Sequence, residues 1–216
     1  MHTFLARRSA PLRRWALLAS IALTASGCGY NTIQTYDEQA EQAKRNIEVQ
    51  LQRRADLIPN LVNTVKGYAA QESEILNNVA RANAGLVGAL QRPGGTNTEE
   101  LANANANVTR ALGPFFTMIQ AYPQLQSNEQ FLRLQDELTG TENRIAVSRR
   151  DYNQAVTTYN TYIRKFPATL TARATGAKPR QGFEVTDPTA RQAPTVDFTK
   201  APAPGAAPGA APTARP

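Results

Sequence analysis

Apolar side chains recur through the second half of the chain at a spacing that only a helix can use. Stepping alternately by three and four residues from Phe131 reaches Leu134, Leu138, Thr141, Ile145, Ser148, Tyr152, Ala155, Tyr159, Tyr162 and Phe166. None of these is charged, whereas Arg133, Asp136, Glu137, Arg149, Arg150 and Asp151 all fall off the seam. A spacing that averages 3.5 residues predicts one helix over residues 128–166 whose stripe lies along other helices. At ~1.5 Å per residue that helix is roughly 55–60 Å long. Such a helix is not stable alone in water, so the rest of the chain must cover its stripe.

Candidate partners precede it. Ile33, Ala40, Ile47 and Leu51 keep a helical interval within a charged stretch, and Leu61, Val62, Val65, Tyr68, Ile75, Leu76, Val79 and Leu86 continue it. Between them Pro59 lacks a backbone donor and disfavours helical geometry at Ile58, so the helix either kinks there or ends and restarts. Arg92-Pro-Gly-Gly-Thr-Asn97 is a break. Thr98-Glu99-Glu100 opens a further helix with acids in its first turn. That helix carries Leu101, Val108, Leu112, Phe116 and Ile119, has Pro114 inside it and ends at Tyr122-Pro123. Asn103, Asn105 and Asn107 form helix poorly and predict a weak middle. Short breaks between long helices make neighbours antiparallel. The expected fold is therefore all-α: a long antiparallel up-and-down bundle of three to four long helices.

The two ends behave differently from the bundle. Residues 1–27 hold four arginines and no acid, followed by an apolar run over residues 15–25 and then Ser26-Gly27-Cys28. A basic start, a short apolar core and small residues before a break describe a secretory signal. The run falls short of the about 20 residues needed to span a bilayer. Cys28 is the sole cysteine and stands at the expected cleavage point, as in a bacterial lipobox. We expect residues 1–27 to be a lipoprotein-type signal peptide and Cys28 to carry the lipid, with an uncleaved signal-anchor as the alternative. The predicted location is the cell envelope, facing the extracytoplasmic side; Gly29 rather than Asp after the cysteine favours an outer membrane where there is one.

After the bundle, assigned to residues 28–167, residues 168–200 read as an irregular extension. Its large apolar side chains Phe183, Val185, Val196 and Phe198 are expected to dock on the bundle, with another molecule as the alternative. Residues 201–216 are Ala, Pro and Gly with one interruption and have almost nothing to bury, which predicts disorder.

Charge and chemistry narrow the function. The formal charge is +7, but the excess lies in the two ends and the bundle region is neutral, so nucleic acid is not an expected partner. His2 and Cys28 are the only His and Cys. No metal-ligand cluster, Ser-His-Asp or Cys-His system or phosphate loop can be assembled, and Pro93-Gly94-Gly95 reads as a turn. We therefore expect no catalytic residue, metal or cofactor, and no enzyme. The polar residues left for interhelical or partner contacts are Arg53, Arg54, Asp56, Glu142, Arg144, Arg149 and Arg150. Glu142 has Arg144 and Arg149 nearby, and an interhelical ion pair of this group with Arg53, Arg54 or Asp56 is a more natural reading than catalysis.

Several segments together resemble one family. They are Val49-Gln-Leu-Gln-Arg-Arg-Ala-Asp-Leu-Ile-Pro-Asn-Leu-Val62, Val65-Lys-Gly-Tyr68, Tyr122-Pro-Gln-Leu125, Leu134-Gln-Asp-Glu-Leu138, Thr141-Glu-Asn-Arg-Ile145, Arg149-Arg-Asp-Tyr-Asn153, Tyr159-Asn160, Phe166-Pro167 and Ala193-Pro-Thr-Val-Asp-Phe198. In this order they are similar to the LemA family of bacterial membrane-associated helical proteins. The resemblance implies a long antiparallel bundle held at a membrane by its N-terminus and implies no activity. Some members are linked to membrane remodelling in magnetic bacteria, and others lie near genes for membrane proteins or proteases. The chain departs from the family in its anchor, where a lipobox-like Cys28 replaces the usual transmembrane helix, and in its Ala/Pro tail. The expected role is a membrane-anchored scaffold or interaction module; an accessory subunit of a membrane protease or enzyme complex, or an envelope-remodelling spacer, is the alternative. Expected partners are the membrane through the lipid anchor, a membrane protein or protease complex, and a second copy of the chain.

Overall fold

A computed structural model describes residues 9–92 and 97–185, with side chains from residue 29 onwards. The described residues form helices α1 (Ser9–Lys66), α2 (Ser73–Leu90), α3 (Thr98–Ile119), α4 (Pro123–Gln126), α5 (Glu129–Arg164) and α6 (Ala168–Thr175). The expectations for the turn at Pro93-Gly94-Gly95, for Val196 and Phe198 and for the Ala/Pro tail lie outside the described residues, as does the side chain of Cys28.

The predicted long helix is α5. Asn128 caps it, its Oδ1 accepting from the Phe131 N–H at 2.9 Å, which satisfies one of the free donors of the first turn. Phe131, Leu138, Ile145, Tyr152 and Tyr159 are buried at seven-residue intervals, while the intervening buried positions shift to Val156 and Ile163. A helix turning at 3.6 residues slips about 20° per heptad against a 3.5 spacing. After three heptads the slip is enough to exchange the expected Ala155 and Tyr162 for their neighbours. The stripe also ends early: Phe166 lies beyond the helix and is 80% exposed.

Its main partner is α1. Arg53 meets Glu137, Tyr36 meets Tyr162 edge-on at 5.2 Å, and Asn128 donates to the Tyr68 hydroxyl. Residue numbers rise on one helix as they fall on the other, so the two run antiparallel. α2 packs on α1 and pairs with α3. The two ends of the α2–α3 pair are marked by Tyr122 donating to Glu72 and by the Arg92–Glu100 ion pair. The core runs along the four long helices through Leu51, Ile58, Leu61, Leu86, Val108, Phe115, Phe131 and Ile145. A smaller cluster of Ile33, Tyr159, Ile163 and Ala172 closes the end where α6 sits.

Pro59 neither ends α1 nor restarts it; the helix runs through to Lys66. The break comes at residues 67–72, where the N–H groups of Tyr68 and Ala69 both turn back to Val65 O at 2.9 Å and Ala69 is fully buried. α3 opens as expected, with Asn97 Oδ1 accepting from the Glu99 N–H at 2.9 Å, but it stops at Ile119, and Pro123 begins the separate turn α4. The extension after the bundle is not wholly irregular. Residues 168–175 are helix α6, which ends on Gly176 at φ 70°, a left-handed position that favours glycine. The chain then turns back along α5 and buries Phe183 in the main core.

Candidate functional site

The polar residues singled out in the sequence separate into one buried node and several surface positions. Arg54 projects from α1 into the space between α3 and α5 and is only 2% exposed. Its Nη1 lies 2.6 Å from Glu142 Oε2 on α5 and donates to Asn105 Oδ1 on α3 at 2.6 Å. Its Nη2 donates to Thr109 Oγ1 at 3.1 Å. Burial pulls the guanidinium pKa below its ordinary value and the Glu142 carboxylate opposes this; starting so far above neutrality, the group stays cationic. One planar donor fork thus ties three helices together, a task suited to arginine rather than lysine.

The other members of the set do not join it. Arg53 faces outward and makes a 3.8 Å ion pair with Glu137, both half exposed. Asp56 accepts from Gln52 one turn earlier on the same helix. Arg144 and Arg150 are exposed on α5. Arg149 lies over the Phe183 ring, 5.2 Å from its centroid, and so holds the returning C-terminal segment.

A second charged node was not anticipated. Arg180 donates from Nε to Asp37 Oδ1 at 2.7 Å and from Nη1 to Glu41 Oε2 at 2.9 Å. Its backbone N–H donates to Asn160 Oδ1 at 2.9 Å, and Asn160 Nδ2 donates back to Arg180 O at 2.8 Å. The hydrogen bond to Asp37 is the main reason that the Arg180 pKa rises above the usual arginine value. Burial, with Asp37 second, raises the neighbouring Tyr159 phenol. Three residues on, the Phe183 N–H donates to Asn153 Oδ1 at 2.8 Å. The segment is therefore zipped onto α5 by two asparagines, Asn153 and Asn160, each at seven residues from the other. Both lie in the quoted motif stretches; their polar side chains beside an apolar seam were the available signal.

Above the Arg54 node a groove of about 320 Å³ opens between α3 and α5, lined by Leu112, Phe116, Leu138, Thr109, Glu142 and Gly113 among others. Its walls are mostly apolar and its floor is the arginine, whose terminal nitrogens are already engaged. Among the described residues no group of three or more His, Cys, Asp or Glu could hold a metal ion, and no helix is long and apolar enough to cross a membrane.

The profile of the LemA family matches residues 43–198, a span that includes the Arg54 node and the C-terminal segment with Arg180, while Asp37 and Glu41 precede it. The chain belongs to the LemA family. It is 31% identical over 175 residues to magnetosome protein MamQ 1 and to MamQ 2 of Paramagnetospirillum magneticum, covering 72% of this chain and 64% of each relative. Magnetosome protein MamQ of Magnetospirillum gryphiswaldense is 30% identical over 69% of this chain and 62% of its own length. The chain thus spans somewhat less than two thirds of these relatives.

Proposed function

We propose that this LemA-family chain is a membrane-anchored, extracytoplasmic helical bundle that works as a scaffold or interaction module without chemistry of its own. The observation that carries the reading is the course of α1. The helix runs unbroken from Ser9 to Lys66, so Cys28 lies on the very helix on which α2, α5 and α6 pack, one residue before the first described side chain of the bundle. Acylation at the thiol, with removal of residues 1–27, would leave the bundle standing on its own lipid. One acyl chain binds membranes only marginally, whereas several anchor stably, and a lipoprotein-type cysteine carries more than one. Both arginine nodes use their donors to hold helices together, which supports a structural role for the buried charges.

The test is metabolic labelling with an alkyne fatty acid in cells that express the chain or its Cys28→Ala form. The expected result is label on the first, and on the second no label, an unprocessed mass and loss from the membrane fraction. A Cys28→Ala chain of unchanged mature mass in the membrane fraction would end the lipoprotein reading.

The groove between α3 and α5 favours a second reading, an accessory subunit that lends this apolar surface to a membrane protease or other enzyme complex. A photo-crosslinker at Gly113, where a Cβ would meet nothing within 4 Å, tests it: reproducible capture of one membrane protein supports the idea, and self-crosslinks alone leave the scaffold or envelope-remodelling spacer.

A further inference from the structure

Most of the exposed large apolar side chains (Val49, Tyr68, Leu132, Val147) are scattered singly, as is ordinary for a protein surface. Three are not. Phe166 is 80% exposed, Leu170 59% and Tyr30 44%, and all three sit at one end of the bundle. Phe166 occupies the corner between α5 and α6, and Leu170 lies on the side of α6 away from the buried Ala168 and Ala172. α6 packs beside the start of the bundle portion of α1: a Cβ on Gly29 would stand 3.3 Å from Thr171 Oγ1, and Ala172 packs with Ile33.

The same end is uniformly cationic. Residues 164–178 carry Arg164, Lys165, Arg173 and Lys178 and no acid, and all four side chains are exposed. The facing stretch of α1, residues 29–36, contains no acid either. Of the nearest acids further along α1, Asp37 and Glu41 are engaged by Arg180 and Glu38 is paired with Arg45. Gly29 is next to Cys28 and, at ~1.5 Å per residue, only about 6 Å along the helix from Ala25, the last residue of the apolar run. By either route of attachment, this end of the bundle is the one nearest the bilayer.

Aromatic and aliphatic side chains among exposed cations form the composition that lies in the headgroup region of anionic membranes. We propose that the α5–α6 corner is a lipid-binding surface, with Phe166 and Leu170 entering the headgroup layer and Arg164, Lys165, Arg173 and Lys178 pairing with anionic headgroups. The corner would fix the bundle's tilt and height on the membrane, which a flexible acyl anchor alone does not. This inference rests on membrane attachment ahead of Gly29.

The experiment uses the full chain as it is purified from membranes, whether or not residues 1–27 are retained, reconstituted into phosphatidylglycerol–phosphatidylethanolamine vesicles with brominated acyl chains. In a Trp15→Phe background, Phe166→Trp reports on the corner and Leu132→Trp on the opposite end of α5, roughly 50 Å away at helical rise. We expect the chain to float with the vesicles and bromine to quench the probe at 166 several-fold more than the one at 132. Quenching should fall when phosphatidylcholine replaces the anionic lipid, and equally with Arg173→Glu and Lys178→Glu combined, at unchanged helical circular dichroism. Flotation with equal quenching of the two probes would overturn the lipid-binding corner while leaving the anchor intact. Quenching indifferent to lipid charge and to the two substitutions would overturn the cationic pairing. A chain that stays at the bottom of the gradient would overturn the anchor and the corner together.

Discussion

Asn83 on α2 donates from Nδ2 to the carbonyl oxygen of Ala55 on α1 at 3.0 Å, and Ala55 is the residue four positions before Pro59. Proline has no N–H, so the carbonyl four residues earlier loses its helical partner. Both Ala55 and Asn83 are buried, where an unmet carbonyl is costly. A side chain from the neighbouring helix supplies the missing donor, and α1 continues through its proline. Removing that donor by Asn83→Ala should cost about 1–3 kcal/mol, the penalty for an orphaned buried acceptor. With Pro59→Ala in place the backbone can donate to Ala55 again, so the same substitution should cost clearly less. Urea unfolding of the four-member cycle measures this, and strictly additive losses would show the two residues to be independent.

The arginine set should rank by burial. Arg54→Ala removes the link between three helices and should destabilise by about 3 kcal/mol, as for breaking a buried charged network. Arg53→Ala disrupts only a half-exposed pair and should cost about 0–1 kcal/mol. Arg144→Ala and Arg150→Ala should stay within about 0.5 kcal/mol of the parent. Thermal and chemical unfolding of the four variants checks the order; a large loss at Arg144 or Arg150 would contradict this placement.

Phe183 is the apolar pin of the returning segment. Phe183→Ala should detach residues 177–185 while leaving α1 to α5 folded, because Phe183 is the one buried side chain this segment adds to a main core otherwise made by the helices themselves. Trypsin should then cut after Arg180 much faster than in the parent, with far-UV circular dichroism almost unchanged. If the Arg180–Gln181 bond resisted cleavage as before, the asparagine contacts and the Arg180 ion pairs alone would be holding the segment.

Two glycines should respond with opposite signs. Nothing lies within 4 Å of a Cβ placed on Gly140, which is inside α5, so Gly140→Ala should stabilise by about 0.5–1 kcal/mol. Gly176 has φ 70° at the end of α6, and Gly176→Ala should destabilise by about 1 kcal/mol. Melting temperatures that moved in the same direction for both would refute the backbone argument.

The helices and the chemical inventory were legible in the chain alone. Apolar spacing placed α5 within a few residues, Asn128 and Thr98 marked helix starts, and the lack of free His and Cys limited the chemistry; each of these is local and repeats within a turn or two of chain. What it could not carry was the rotation and axial register of one helix against another. Glu142 was legible as half of an interhelical ion pair, but only packing chose Arg54, which points inward, over Arg53, which points out. Asn105 read as a poor helix former, whereas its amide is the buried acceptor for Arg54, 51 residues away. Pro59 was ambiguous because its effect depends on whether some other element supplies a donor to Ala55, and that donor sits on α2. Arg180 read as one more basic residue of the C-terminal extension until the fold brought it to Asp37, 143 residues distant. Period encodes which face of a helix is apolar; which polar groups meet across those faces is decided only when the helices close on one another and leave no other partner within reach.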